Sequence, residues 1–435
     1  MRSPVLFSAR LWFSAALVGC TSAAAVMGFR ALIDLVEFAL TGHRGSLVAA
    51  ARALAPWHRV ATCVAGGLIA GLVLEYGQRW AAAGRGSAKH IDYIDAAREG
   101  TSELNDRTTL VRSVSSLFSV GSGASIGREG PMVQLTAWLA TKLGRWLALP
   151  AAECNAILVC GIAAGIGTAY HAPAAGAVFA LELALGYFAR HAIAPVLIAA
   201  STACGLIYWL VEPHPLYVMP EVALQPVSIA AALVLGPICG GIGWSLLRLL
   251  ELGRRAFAPI HSLPLRLALG GLLVGGLSAV LPEVWGNGYS VVSNVLQGQL
   301  AWNFVFVVLL AKVLATMISS GSGAIGGVFT PTLFVGATSG YVLAHAASNW
   351  IAPEYIGAPS LLAVIAMGAV LASVTQAPLM AIVMVLEMTG QFQLVVPVML
   401  ACGLAFAVST QFGTRPLYGN PIEGAISPRK EQQIA

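Results

Sequence analysis

Two glycine-rich segments carry the residues whose types and spacing suit them for chemistry: Gly121-Ser-Gly-Ala-Ser-Ile-Gly-Arg-Glu-Gly-Pro131 and Gly321-Ser-Gly-Ala-Ile-Gly-Gly-Val-Phe-Thr-Pro331. An anion held away from water needs substitutes for its hydration shell, and without a full countercharge these are backbone N–H groups and hydroxyls. A helix N-terminus offers unpaired N–H groups and about half a positive charge. Glycine there removes the side chain that would block a close approach. The stretches Gly127-Arg-Glu-Gly-Pro131 and Gly326-Gly-Val-Phe-Thr-Pro331 both read as helix starts, each with proline where a first turn tolerates it. Facing one point, the two starts would make an anion site. Glu129 could fill that site with its own carboxylate and leave it once protonated, which makes it a candidate gate and proton carrier. Two competing readings are nucleotide binding and close helix packing through the glycines. The first lacks a Lys-Ser/Thr pair after the last glycine.

These segments must be positioned by membrane helices. The chain has 435 residues, 57% hydrophobic and 10% charged, whereas soluble domains are about one quarter charged. A soluble globular protein is excluded by that balance. At about 20 apolar residues per crossing, the content suffices for roughly ten or more helices, and Glu129 becomes an intramembrane carboxylate, a functional candidate by its cost alone. Charge-free runs at 154–181, 222–247, 313–353 and 355–386 are interrupted by glycine and proline rather than by charged loops. That pattern predicts closely packed, tilted and partly re-entrant helices.

The formal charge of +5 is spread over short segments between apolar runs, which argues against nucleic-acid binding. Basic residues gather at 85–112, 142–145, 248–255 and from 415 onward, so both termini are expected in the cytoplasm. The seven cysteines lie in apolar stretches without CxxC spacing or histidine partners, which suggests neither a disulfide frame nor a metal site. Leu17-Val-Gly-Cys20 resembles a lipoprotein cleavage box, but the apolar stretch continues to Phe29, so a first membrane helix is expected instead. With no HExxH zinc motif and no GxSxG elbow, an enzyme is not expected, nor is a cofactor.

The two glycine-rich segments share six of eleven positions at an offset of 200 residues, and Ala172-Pro173 to Glu182 recurs as Ala377-Pro378 to Glu387 at an offset of 205. Two matches in the same order indicate duplicated halves. We place them at 1–215 and 216–418, with a short cytoplasmic tail at 419–435. Such halves in transporters and channels often lie inverted, with the site between them at mid-membrane.

The first segment, the second segment and Arg415-Pro-Leu-Tyr418, in that order, resemble the CLC family of chloride channels and transporters. The resemblance covers nearly the whole chain. It implies an all-α polytopic membrane protein of two inverted halves, acting as a homodimer in the lipid bilayer with one anion pathway per subunit. It also implies that Glu129 is the gating glutamate. Gly127, Arg128 and Gly130 would form the outer chloride site with the Glu129 amide. Gly327, Val328 and Phe329, with the Tyr418 hydroxyl, would form the central one. The 17 residues after Tyr418 do not accommodate the cytoplasmic nucleotide-sensing pair of many eukaryotic members. The expectation is therefore the compact bacterial branch of voltage-gated chloride channels, in the inner membrane, with chloride as the transported ligand.

Three positions depart from the family. Its first motif reads Gly-Ser-Gly-Ile-Pro, whereas this chain has Gly84-Arg-Gly-Ser-Ala88. Arg85 then either adds positive charge near the inner mouth or faces the cytoplasm while Ser87 takes over. Where proton-coupled members have a second glutamate, this chain has Leu183, which cannot relay a proton. Glu182 and Glu387 are expected to cap backbone amides. His171 is expected as a packed neutral residue, and Lys312 as one that snorkels or pairs structurally. The function implied is a voltage- and pH-dependent chloride channel, with a chloride/proton antiporter as the alternative.

Overall fold

The computed structural model describes residues 9–83, 92–101, 103–184, 190–210, 214–352, 355–414 and 417–418. The first helix, α1 (Ala9–Thr41), has 33 residues, about 50 Å at 1.5 Å per residue. The hydrocarbon core is about 30 Å thick, so a helix of this length crosses at a tilt. It is followed by α2 (Leu47–Ala53), α3 (Pro56–Ala82), α4 (Tyr93–Glu99), α5 (Asp106–Gly121), α6 (Glu129–Trp146) and α7 (Ala151–Tyr170). Then come α8 (Pro173–Val178), which runs on as a π-turn over Phe179–Ala184, and α9 (Arg190–Leu210).

The second half holds α10 (Pro226–Phe257), α11 (Leu263–Val280), α12 (Tyr289–Leu296), α13 (Trp302–Gly321), α14 (Phe329–Ala347), α15 (Pro359–Thr375), α16 (Pro378–Thr389) and α17 (Val395–Gln411). Among the described residues, eight helices are long and apolar enough to cross a membrane. Others are too short. The 16 residues of α5 span about 24 Å and the 12 of α16 about 18 Å, so re-entrant helices occur as the glycine and proline pattern predicted.

The repeat is visible residue by residue. Helices α5 and α13 end at Gly121 and Gly321, and α6 and α14 begin at Glu129 and Phe329, matched positions of the two motifs. Helices α7 and α15 both end on a non-glycine residue in the left-handed region, His171 at φ 55° and Gln376 at φ 57°. Each is followed by an Ala-Pro pair whose alanine has nearly the same backbone, φ −135° and ψ 79° at Ala172, φ −130° and ψ 78° at Ala377. Proline restricts the preceding residue to extended geometry and is tolerated at a helix start, so each Ala-Pro pair stops one helix and starts the next.

Helices α7 and α15 are buried along nearly their whole length and form the central packing layer. Helices α3 and α11 meet through small residues. A Cβ on Gly67 would lie 2.4 Å from the Leu267 carbonyl oxygen, and one on Gly271 would lie 2.2 Å from that of Cys63. Backbone atoms cannot step aside, so the helices would have to separate. Gly271→Ala should therefore lower stability by about 2 kcal/mol, read as an earlier unfolding transition in detergent by tryptophan fluorescence. An unchanged transition would mean that the two helices are not held at backbone contact.

Candidate anion site

The two motifs meet in one place. Gly127 and Gly327 form an antiparallel bridge in which each N–H donates to the other's carbonyl oxygen at 2.7 Å. Because these residues are equivalent in the repeat and pair antiparallel, the two halves approach each other in opposite senses. The N-terminal turns of α6 and α14 are brought together at this junction, and neither cap residue, Arg128 or Val328, caps its helix with a side chain. Two helix starts, each with a partial positive charge, thus adjoin at one point, the bridge.

Glu129 occupies that point. It is 6% exposed. Its Oε1 accepts hydrogen bonds from the Thr330 hydroxyl at 2.8 Å and the Asn287 side-chain amide at 3.1 Å. Its Oε2 is buried without a hydrogen-bond partner. The carboxylate lies directly above the glycine bridge: a Cβ on Gly127 would come within 1.8 Å of Oε2, and one on Gly327 within 3.6 Å. Glycine at 127 is therefore what lets an acidic group rest against the helix starts. Thr330 is itself within 3.1 Å of the Tyr170 hydroxyl.

On one side of Glu129 lies a cavity of about 310 Å³, lined among others by Arg30, Asp34, Glu37, Arg128, His171 and Asn287. A second cavity, of about 210 Å³, is lined among others by Asp92, Arg112, Gly130, Arg254, Gly327, Val328 and Tyr418. Between them runs a series of aromatic rings. Tyr170 and Phe329 are 5.1 Å apart, Phe329 and Phe179 6.3 Å, and Phe179 and Tyr418 6.2 Å. The site residues read from the sequence therefore converge, with Gly127, Arg128, Glu129 and Gly130 from α6 and its approach, Gly327, Val328 and Phe329 from α14 and its approach, and Tyr418 from the chain end. Arg85 and Ser87 lie outside the described residues, as do Arg415, Pro416 and the side chain of Leu183.

A second pair of helix starts nearby is closed differently. Glu182 accepts from the N–H groups of Leu379 and Met380 at 3.2 and 2.6 Å, and Glu387 from those of Ala174 and Ala175 at 3.1 and 2.7 Å. Each glutamate plugs the N-terminus of the other's repeat-equivalent helix, α16 and α8. Both are capping carboxylates, in keeping with their sequence reading. Lys312 pairs structurally and does not snorkel: it has no exposure and donates to backbone carbonyls. His171 is half-buried in the wall of the larger cavity, its carbonyl accepting from the Tyr208 hydroxyl at 2.9 Å.

Asn287 and Thr330 were not singled out from sequence. Thr330 lies inside the second motif, so its signal was present. Asn287 sits in Gly286-Asn-Gly288, which in sequence signals only a turn.

A family model described as voltage gated chloride channel matches residues 65–410. A putative chloride channel protein ClcB-like of Ralstonia nicotianae is 45% identical over 415 residues, covering 94% of this chain and 95% of that protein. The voltage-gated ClC-type chloride channel ClcB of Escherichia coli O81 is 37% identical over 409 residues, covering 93% and 96%. Among solved structures, a slow cyanobacterial Cl−/H+ antiporter superposes with a TM-score of 0.82 at 23% identity, covering 95% of this chain and 97% of that one. The chain belongs to the voltage gated chloride channel family, whose members are channels and transporters, and it is an integral membrane protein.

Proposed function

We propose that the protein is a chloride channel of the bacterial inner membrane, gated by voltage and by protonation of Glu129. The observation that carries this reading is the Glu129 carboxylate resting on the Gly127–Gly327 bridge, where a permeating anion would meet both helix starts. An ionised Glu129 fills the outer site. Once protonated it loses its attraction for the positive helix ends, and chloride replaces it. The backbone amides of Arg128, Glu129 and Gly130 then serve the outer anion position, with Gly127, whose own N–H is spent on the bridge, supplying only the close approach. Those of Val328 and Phe329, with the Tyr418 hydroxyl, serve the central one, and the Gly327 N–H, expected there from the sequence, is instead paired with the Gly127 carbonyl.

The cavity holding Arg112 and Arg254 is assigned to the cytoplasmic side, because Asp92, Tyr93 and Arg112 of the segment at 85–112, where basic residues gather, line it. The two halves divide near 215, the cytoplasmic tail expected at 419–435 lies outside the described residues, and the working unit is a homodimer needing no cofactor or metal and no enzymatic step. The names of the Ralstonia and Escherichia relatives agree with a channel.

A second reading is a chloride/proton antiporter, favoured by the protonatable group in the pathway and by the function named for the cyanobacterial structure. The deciding experiment is the reversal potential of purified protein in lipid bilayers, with unequal chloride and a pH gradient. A potential that follows chloride alone supports the channel. One that moves with pH establishes coupled exchange and directs attention to how protons bypass Leu183. Within either reading, Tyr418→Ala should change the chloride/nitrate permeability ratio by about twofold or more, the effect of removing one neutral donor from an anion site. An identical selectivity series would remove Tyr418 from the central position.

A further inference from the structure

We propose that the loop Trp285-Gly-Asn-Gly288 is a latch that sets how readily Glu129 leaves the junction, with Asn287 as the group that holds the carboxylate and Lys312 as the anchor of the loop. This rests on the gating role of Glu129 and adds what tunes it.

The amide of Asn287 is fixed at both ends. Its Oδ1 accepts the Tyr289 N–H at 3.2 Å, which leaves Nδ2 turned toward Glu129 Oε1 at 3.1 Å. The loop around it is held in place. Gly286 and Gly288 have φ of 66° and 91°, a left-handed geometry that glycine adopts without strain. The fully buried Trp285 ring lies where a Cβ on Gly123 of the first motif would be, 2.4 Å away, and a Cβ on Gly288 would meet the Phe334 ring of α14 at 2.6 Å. The loop therefore contacts both motif-bearing regions as well as Glu129.

Lys312 gives the loop its anchor. An ammonium inside a membrane protein is costly unless its donors are satisfied. Here Nζ donates to the carbonyl oxygens of Val284 at 2.8 Å and Gly286 at 2.5 Å, with that of Trp285 at 3.4 Å. These are the carbonyls immediately before Asn287. The lysine donates to these carbonyls, whereas the donors to Glu129 are Asn287 and Thr330, so it acts through the loop and is a positioning residue.

The latch acts on the ionised form of Glu129. Asn287 and Thr330 both donate to the carboxylate, and each such bond favours the charged state that fills the site. Among the described residues, the charged and titratable groups coupled to Glu129 or lining its cavity are Arg30, Asp34 and Glu37 on α1, the adjoining Arg128, His171, and the phenols of Tyr170, Tyr217, Tyr289 and Tyr418. Removing the Asn287 donor leaves this charge set unchanged and weakens only the hold on the carboxylate.

The test is chloride efflux from liposomes holding the full-length protein, measured against external pH, for wild type, Asn287→Ala, Asn287→Asp, Glu129→Gln and Asn287→Ala/Glu129→Gln. Loss of one charge-assisted donor should let the site open at about tenfold lower proton concentration, moving half-activation up by about one pH unit in Asn287→Ala. Asn287→Asp, of the same size but with an acceptor facing the carboxylate, should move it further in the same direction. It also decides the matter should the alanine variant fail to fold. On the Glu129→Gln background Asn287→Ala should add nothing, since the group it holds is gone. Half-activation unchanged in both single variants, with Glu129→Gln independent of pH, would overturn the latch and leave the gate standing. A pH profile that survives Glu129→Gln would overturn the gate and the latch together.

Discussion

Glu129→Gln should conduct chloride with its dependence on external pH removed. Glutamine keeps the size of the side chain and its bond to the Thr330 hydroxyl, but it carries no charge and cannot titrate. With nothing ionised to attract, the helix starts of α6 and α14 no longer hold the side chain against the Gly127–Gly327 bridge. In the wild type, a single protonation that opens the site changes flux by up to about tenfold per pH unit on the alkaline side of the transition. In the variant that ratio should fall close to one across about pH 5 to 8, with flux near its acidic wild-type level throughout. Efflux from liposomes at stepped external pH measures this directly. A variant that keeps the wild-type profile would remove Glu129 from the gate, whatever its position in the fold.

The second large effect concerns stability. Glu182→Ala or Glu387→Ala should each destabilise the protein by about 3 kcal/mol, since each removes a carboxylate that accepts two hydrogen bonds from backbone N–H groups, at about 1.5 to 3 kcal/mol apiece before discounting partial exposure. The freed amides at the starts of α16 and α8 have no alternative partner within their own helices. The two sites share the contact between α8 and α16, so the double variant should depart from additivity. Unfolding in detergent, followed by fluorescence, checks this. If Glu182→Ala left the unfolding transition in place while changing proton flux, the glutamate would be a proton carrier and not a cap.

The same residues explain what was legible in the sequence. The repeat at offsets of 200 and 205 was readable because its punctuation is local: Gly121 and Gly321 end helices, Pro131 and Pro331 sit in first turns, and Ala-Pro pairs begin α8 and α16. From these alone the anion site could be placed between two facing helix starts. The capping by Glu182 and Glu387 was foreseeable as chemistry, but its crosswise partnering was not, because it depends on how the halves are apposed. Asn287 was invisible for a related reason. It is 158 residues from Glu129 in the chain, within a three-residue turn whose composition predicts only its own backbone. Lys312 was read as a pairing or snorkelling residue because an apolar neighbourhood in sequence does not reveal carbonyl groups arriving from another segment.

The matched starts of α6 and α14 have one further consequence. Glu129 and Phe329 occupy equivalent positions, yet only one of them can carry charge. On the gating role proposed for Glu129, a pathway built on a two-fold repeat carries its titratable plug in one half alone, and that plug borders the cavity of about 310 Å³, which no described residue of 85–112 lines. The route so proposed is chemically polar even where the backbone of its two halves nearly matches. Acidifying the outer compartment and acidifying the inner one are then different operations, and current through the same pore should rectify according to which face meets the acid.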